Sequence, residues 1–322
     1  MTDKIIKVSI GVILNNHNEL LIAQRPKNEL MPVLWGLPGG KVEGQETTSD
    51  ALHRELEEEL GIKVTKFYPW IKQTYQKQKI KYDLFFYRVV EWDGTAYGRE
   101  KQLITWANID SITHKYNLLP TTFHVLRCFK IPNTYAITSI NSKEHVKDFL
   151  NRLNIAINNG ISLIQFREPN WNEGPFSDSL LAIMRKILSI CKQHKVKLLI
   201  NSVHPESWWA EANGVHLRSI DMKKYSHKPK FIKQNSLIGV SAHNSNDLEY
   251  AYSHINADFA VLGPVLPTLS HPNDPGIGWD NFKNEIMNSR IPVFSLGGQS
   301  EQNRETAYQN GAHGIAGIRF FI

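Results

Sequence analysis

Residues 39–62 read GGKVEGQETTSDALHRELEEELGI, and within them Glu55, Glu58 and Glu59 fall three and four positions apart. On a helix this spacing gathers the three carboxylates on one face. Like charges so placed repel by about 0.2–0.5 kcal/mol per pair. They also lie toward the negative end of the helix dipole. Two explanations satisfy the pattern: a solvated acidic face, or a site for a hard divalent cation. An all-oxygen set suits Mg²⁺ or Mn²⁺, not zinc.

The elements that must position these acids can be read around them. Thr47 followed by Asp50 predicts a capping-box start, and Gly61 a left-handed stop, for a helix ending near Leu60. Leu52, Leu56 and Leu60 form its core face. Residues 7–14 alternate as a strand, with Val8, Ile10 and Val12 on one side. Asn15-Asn16-His17-Asn18 is turn chemistry, and residues 20–24 read as the return strand. Residues 82–92 predict a further strand, ended by Asp93-Gly94. A helix end and a short connection at residues 127–133 place a domain boundary, giving units 1–130 and 134–322.

Eight short apolar runs follow, at 135–140, 162–167, 197–201, 214–217, 236–241, 258–263, 291–296 and 314–318. Amphipathic stretches such as 145–158 and 179–194 alternate with them. Eight strand–helix units predict a closed (β/α)₈ TIM barrel, with an open doubly wound sheet as the alternative. The segment is short for a barrel, so some connecting helices should be one turn or missing.

Composition bounds the rest. A chain of 322 residues predicts two domains, and 41 % apolar against 21 % charged residues supplies a core. No run approaches the ~18–20 apolar residues of a membrane span. Lys7 and Ser9 interrupt the apolar N-terminus, which argues against a signal peptide. Cys128 and Cys191 alone make neither a disulfide scaffold nor a four-ligand zinc site, and the expected compartment is the cytoplasm. The net charge of +6 divides evenly between the halves, with signs interspersed, so no nucleic-acid partner is expected.

Residues 39–62 resemble the Nudix box, agreeing at each of its fixed positions: Gly40, Glu46, Arg54, Glu55, Leu56, Glu58, Glu59, Gly61 and Ile62. The resemblance extends over about residues 4–130 and is nearest the MutT-like branch of Nudix hydrolases. It implies an α/β/α sandwich with a mixed sheet. It also implies Mg²⁺-dependent hydrolysis of a nucleoside triphosphate, or another nucleoside diphosphate derivative, at an internal phosphate. The metal would neutralise the polyphosphate and lower the pKa of a bound water. By resemblance, Glu58 and Glu59 are metal ligands, as is the backbone carbonyl of Gly39. Glu55 is a ligand or the base, and Glu100, in Tyr97-Gly98-Arg99-Glu100, is a further ligand. Arg54 orients the glutamates, and Arg25, in Ala23-Gln24-Arg25, neutralises phosphate. Leu37 and Pro38, in the lead-in to the box, contact substrate. The oxidised-guanine enzymes of this branch carry an asparagine after a Leu-Pro. The matching place after Leu119-Pro120 falls near Phe123, which would stack on a base. The expected substrate is 8-oxo-dGTP, and the role nucleotide-pool sanitation and DNA repair.

Residues 134–322 resemble the thiamine-phosphate synthase and thiazole tautomerase family. The resemblance rests on Gln165-Phe166-Arg167-Glu168, Gly214-Val215-His216-Leu217 with Asp221, Gly239-Val240-Ser241-Ala242-His243, residues 262–268, Gly297-Gly298 and residues 311–316. A synthase holds pyrimidine diphosphate with Mg²⁺, two aspartates and two lysines. Here one aspartate position reads Asn201-Ser202, and the lysine positions read Pro169 and His271. Asp221 remains. The expectation is lost synthase activity, with a retained phosphate site at Gly298, Ile318 and Arg319 that would take thiazole phosphate. The alternatives are a bifunctional thiamine-pathway enzyme, and a barrel acting as a non-catalytic sensor or scaffold. His216, His243 and His271 read as surface or hydrogen-bonded groups, Trp208-Trp209 as helix packing. Residues 73–81 read as a solvated hairpin that could line the nucleotide entrance.

Overall fold

The computed structural model describes residues 4–25, 33–77, 79–229, 236–268, 274–318 and 321–322. The chain divides into two units, Met1–Lys130 and Ile131–Ile322.

The first unit contains β1 (Lys4–Ile13), β2 (Glu19–Gln24), β3 (Trp35–Gly36), β4 (Gly39–Lys41), α1 (Thr48–Leu60), β5 (Lys63–Lys77), β6 (Ile80–Asp93), β7 (Ile104–Asn108), α2 (Ile112–Lys115) and α3 (Pro120–Phe129). Its main sheet has the order β4-β1-β6-β5, with β1 parallel to β6 and the other pairs antiparallel. Leu52, Leu56 and Leu60 of α1 are fully buried among Ile13, Tyr87 and Val89 on one side. Each such leucine contributes roughly 1.5–3 kcal/mol. Val125 and Leu126 of α3 join Trp70, Leu84 and Phe86 on the other side. The result is an α/β/α sandwich.

One expectation is corrected. The return strand β2 does not extend the ladder of β1; it pairs with β3 and β7 in a second, three-stranded sheet. The connecting turn is the cause. Asn15 Oδ1 accepts from the backbone N–H of His17 and Glu19, and Asn18 has φ 59°. This Asx turn leaves a single bridge, Leu14 to Leu20, before the strands part.

The second unit is a closed parallel barrel of β8 (Thr134–Ile137), β9 (Leu163–Phe166), β10 (Lys197–Asn201), β11 (Gly214–Leu217), β12 (Leu237–Ala242), β13 (Phe259–Leu262), β14 (Val293–Leu296) and β15 (Gly314–Gly317). Pairing of β15 with β8 closes it, which rules out the open sheet. Its helices are α4 (Val146–Asn158), α5 (Asp178–Gln193), α6 (Glu206–Trp209), α7 (Ser219–Met222), α8 (Ser245–Tyr250), α9 (Gly278–Ile286) and α10 (Arg304–Gln309). The four-residue α6 and α7 are the shortened connections a small barrel requires. Trp208 and Trp209 of α6 are buried in the core.

Tyr135, Phe259 and Phe294 fill the barrel interior. His216 spans it, with Nδ1 3.2 Å from Tyr135 Oη and Nε2 3.0 Å from Ser241 Oγ. His216 is therefore a hydrogen-bonded core histidine, not a surface one. Burial lowers His216 to a pKa of about 3 and His204 to about 4. In the unfolded chain both groups take a proton near pH 6.5. Below that pH the unfolded state binds more protons than the barrel does, so stability falls on acidification. Between pH 7 and pH 5 each histidine should cost about 2 kcal/mol. Urea unfolding followed by circular dichroism at the two pH values checks this, and His204→Gln should flatten the dependence.

Candidate active site

The acidic helix is closed at both ends by its own sequence. Thr47 and Asp50 cap each other reciprocally at its start. Gly61, with φ 69°, ends it and donates to the Glu57 carbonyl at 3.0 Å. The last turn carries no basic residue. Residues 97–102 act in its place. Arg99 Nη1 donates to Glu57 O at 2.8 Å, the Arg99 N–H to Glu59 O at 3.0 Å, and the Tyr97 N–H to Leu60 O at 3.1 Å. Gln102 Nε2 donates to Glu59 O at 3.0 Å, while its Oε1 accepts from the Glu100 N–H at 2.8 Å. One amide thus ties the backbone beneath Glu59 to the backbone of Glu100. Sequence reasoning did not find this fastening, because the two segments are remote in the chain.

Arg54 lies at the centre of the acids. It holds Glu46 through two hydrogen bonds, of 2.7 and 3.2 Å, and donates to Lys41 O at 2.9 Å. Its Nη1 reaches Glu55 Oε1 at 2.9 Å and Glu58 Oε2 at 3.1 Å. The hydrogen bonds to Arg54 hold Glu46 below the usual carboxylate range. Glu55 is pushed the other way, because burial outweighs the same guanidinium. Glu59 Oε2 accepts from the Gly39 N–H at 2.9 Å. Gly39 and Gly40 let the backbone approach this closely. A Cβ on Gly40 would overlap the Glu55 carboxylate, and Gly39, with φ 136°, packs on the backbone of Ser9.

These groups border a cleft of about 620 Å³. Arg25, Gly39, Glu55, Glu59 and Glu100 form its polar side, and Leu37 and Pro38 also line it. Tyr75, Tyr82, Leu84 and Phe86 form an aromatic and aliphatic wall on β5 and β6. The expected base-stacking residue is placed elsewhere: Phe123 is 45 % exposed on α3 and does not line the cleft, whereas Leu119, Pro120 and Thr121 do. Glu58 is likewise outside the lining, its side chain 55 % exposed against Arg54. Glu55, Glu59 and Glu100 line the cleft with carboxylates, the donor type a hard cation takes. Among the described residues, no three acidic, cysteine or histidine side chains already converge on one point.

In the barrel, the substituted positions are filled by internal bonds. Asn201 Nδ2 donates to Gln165 Oε1 at 2.7 Å. Asp221 is held by Arg218, Lys224 and Ser202 at 2.5, 2.7 and 2.7 Å. Glu168 Oε2 accepts from the N–H groups of Ile140 and Asn141, and burial pushes its carboxyl up. Gly297 and Gly298 follow β14 with φ of 94° and 64°, and Ile318 follows β15. His243 is exposed. Arg319 and His271 lie outside the described residues.

A closed parallel barrel preceded by an α/β/α sandwich with an acidic cleft defines a two-domain α/β enzyme. The thiamine monophosphate synthase family model matches residues 134–321, and the NUDIX domain model matches residues 6–126. The chain belongs to the thiamine monophosphate synthase family through its barrel and carries a NUDIX domain ahead of it, as a Nudix hydrolase acting on diphosphate-containing compounds. A protein of Aquifex aeolicus provisionally named thiamine-phosphate synthase 2 is 33 % identical over 60 % of this chain and 99 % of its own length. The thiamine-phosphate synthase of Streptococcus suis is 34 % identical over 53 % of this chain and 73 % of its own. A solved MutT structure, from work on Aliivibrio salmonicida and Vibrio cholerae, is 34 % identical over 38 % of this chain and 95 % of its own, with a TM-score of 0.34. No helix among the described residues is long and apolar enough to cross a membrane.

Gly40 provides a direct check on the cleft. Its backbone conformation accepts alanine, but the added methyl must displace the Glu55 carboxylate. Gly40→Ala should lower nucleotide turnover by about 10²-fold while leaving the far-ultraviolet circular dichroism unchanged.

Proposed function

We propose that the first unit hydrolyses a nucleoside triphosphate, or a related nucleoside diphosphate derivative, at an internal phosphate, with 8-oxo-dGTP as the leading substrate. The observation that carries this reading is the cleft itself, which is lined by the carboxylates Glu55, Glu59 and Glu100, by the cation Arg25, and by the aromatic rings Tyr75, Tyr82 and Phe86. A polyphosphate suits the charged groups and a heterocycle the rings. Glu55, Glu59, Glu100 and the Gly39 carbonyl would hold Mg²⁺ or Mn²⁺, with Glu58 as a further ligand. Bound there, the ion supplies charge neutralisation and a water of lowered pKa. Arg25 takes up phosphate charge. Glu55 is either one of those ligands or the base that accepts a proton from the attacking water. Arg54 fixes Glu55 and Glu58 through charge-assisted hydrogen bonds. Glu59→Gln should lower kcat by about 10²–10³-fold on the best nucleotide of a panel that includes 8-oxo-dGTP. Unchanged turnover would remove the assignment.

For the barrel, we infer that synthase chemistry is absent and that a thiazole-phosphate site remains near Gly298 and Ile318, in a cytoplasmic protein. The support is local. At Asn201-Ser202, where the resemblance calls for a metal carboxylate, Asn201 bonds Gln165 and Ser202 bonds Asp221, and Asp221 already has three donors. Losing one carboxylate and two lysines removes the groups that offset diphosphate charge. The full chain, given pyrimidine diphosphate and thiazole phosphate with Mg²⁺, should form no thiamine phosphate yet bind thiazole phosphate in calorimetry. Product formation would restore the bifunctional reading.

A further inference from the structure

The sheet face behind the cleft carries a polar group with no hydrogen-bond partner among the described residues. In the β5–β6 ladder, Tyr75 lies opposite Tyr82, Gln73 opposite Leu84, and Ile71 opposite Phe86. Residues directly opposite one another project to the same face of a sheet. Tyr75, Tyr82, Leu84 and Phe86 line the cleft, so Gln73 belongs to the cleft face. The other face is identified independently by the cluster of Lys72, Thr74 and Asp83, with Asp83 bonded to Lys72 at 2.9 Å and to Thr74 at 3.0 Å. Gln73 is half-buried, and its Nε2 is fully buried with no hydrogen-bond partner among the described residues. A buried N–H₂ without an acceptor is unfavourable to the folded state, and an apolar side chain of similar size would fit better. The cost is understandable if the acceptor arrives with a ligand.

We propose that Gln73 is a specificity-determining residue for the nucleobase, donating from Nε2 to a carbonyl oxygen on the edge of a base held against Tyr75 and Tyr82. The two rings, 6.3 Å apart and tilted by 40°, supply the aromatic surface. Tyr75 is exposed and is the next residue along the same face, so an incoming base reaches the amide by moving that ring. An amide N–H₂ donates to an oxo group and leaves an exocyclic amino group at the same place without a partner. At the purine C6 or pyrimidine C4 position, guanine, 8-oxo-guanine and uracil carry an oxo group, and adenine and cytosine an amino group. At that position the cleft therefore favours the first, oxo-bearing set over the second, amino-bearing one. This rests on the hydrolase reading above and deepens it, placing discrimination on the β5–β6 wall instead of at α3.

The test is kcat/KM for dGTP, 8-oxo-dGTP, dUTP, dATP and dCTP, measured on the full chain and on Gln73→Leu and Gln73→Glu. The wild-type protein should prefer the oxo-bearing set. Gln73→Leu should shrink that preference about tenfold, or ~1.4 kcal/mol. Gln73→Glu, an acceptor only when ionised, should shift it toward the amino-bearing set. Calorimetry supplies a second readout: relieved of the unpaired donor, Gln73→Leu should melt about 2–4 °C higher without ligand. A wild-type preference for adenine or cytosine overturns the proposal. So does a Gln73→Leu variant that melts lower and keeps the preference within twofold, which would mark Gln73 as a packing residue. Absence of hydrolysis of every nucleotide by the wild-type protein would instead remove the hydrolase reading, and this proposal with it.

Discussion

The first unit depends on one guanidinium. Four glutamates, at 55, 57, 58 and 59, crowd the end of a thirteen-residue helix that has no basic residue in its last turn. Their mutual repulsion and the helix dipole both act against that arrangement. Arg54 meets the problem from within the helix, binding Glu46, Glu55 and Glu58 together. With side chains of 27 % exposure for Arg54 and 14 % for Glu55, the pair is partly shielded from water, where such attraction is stronger than at an open surface. The polar side of the cleft follows from this. Glu55 is positioned by Arg54, Glu59 is left to Gly39, and both face the space that a phosphate chain would fill.

The two units treat their acids differently. In the first, Glu55 and Glu59 border a cleft, Glu55 bonded to Arg54 and Glu59 to the Gly39 N–H. In the barrel, Asp221 and Glu168 are bound by several donors each, some of them backbone N–H groups that cannot turn away. Asp221, fixed in that way, has little left to offer a ligand, whereas Oε1 of Glu168 is buried with no hydrogen-bond partner among the described residues. The barrel retains its family's shape while the bonds at its mouth have turned inward.

Much of this could be read in advance because it is local. Thr47, Asp50 and Gly61 mark the ends of the acidic helix through bonds that span four residues or fewer, and Leu52, Leu56 and Leu60 mark its buried face. The eight apolar runs of the barrel announced themselves by alternation, since parallel strands buried on both sides must be apolar throughout. What escaped was non-local or conformational. The division of the first unit into two sheets turns on an Asx turn that the dipeptides suggested but whose direction they could not specify. The exposure of Phe123 depends on the rotation of α3 about its own axis. The seat of Tyr75 and Tyr82 on the cleft depends on the register of a long hairpin, in which a slip of one residue would have sent both rings to the far side.

The loop at residues 97–102 has a mechanical consequence. Because it supplies the donors that the end of α1 lacks, the final helical turn and the segment bearing Glu100 share one set of hydrogen bonds. A displacement of the Glu100 backbone would be passed through Gln102 to the peptide of Glu59, because one side-chain amide bonds both. Glu59 and Glu100, both on the polar side of the cleft, are thereby held at a fixed spacing by one side chain.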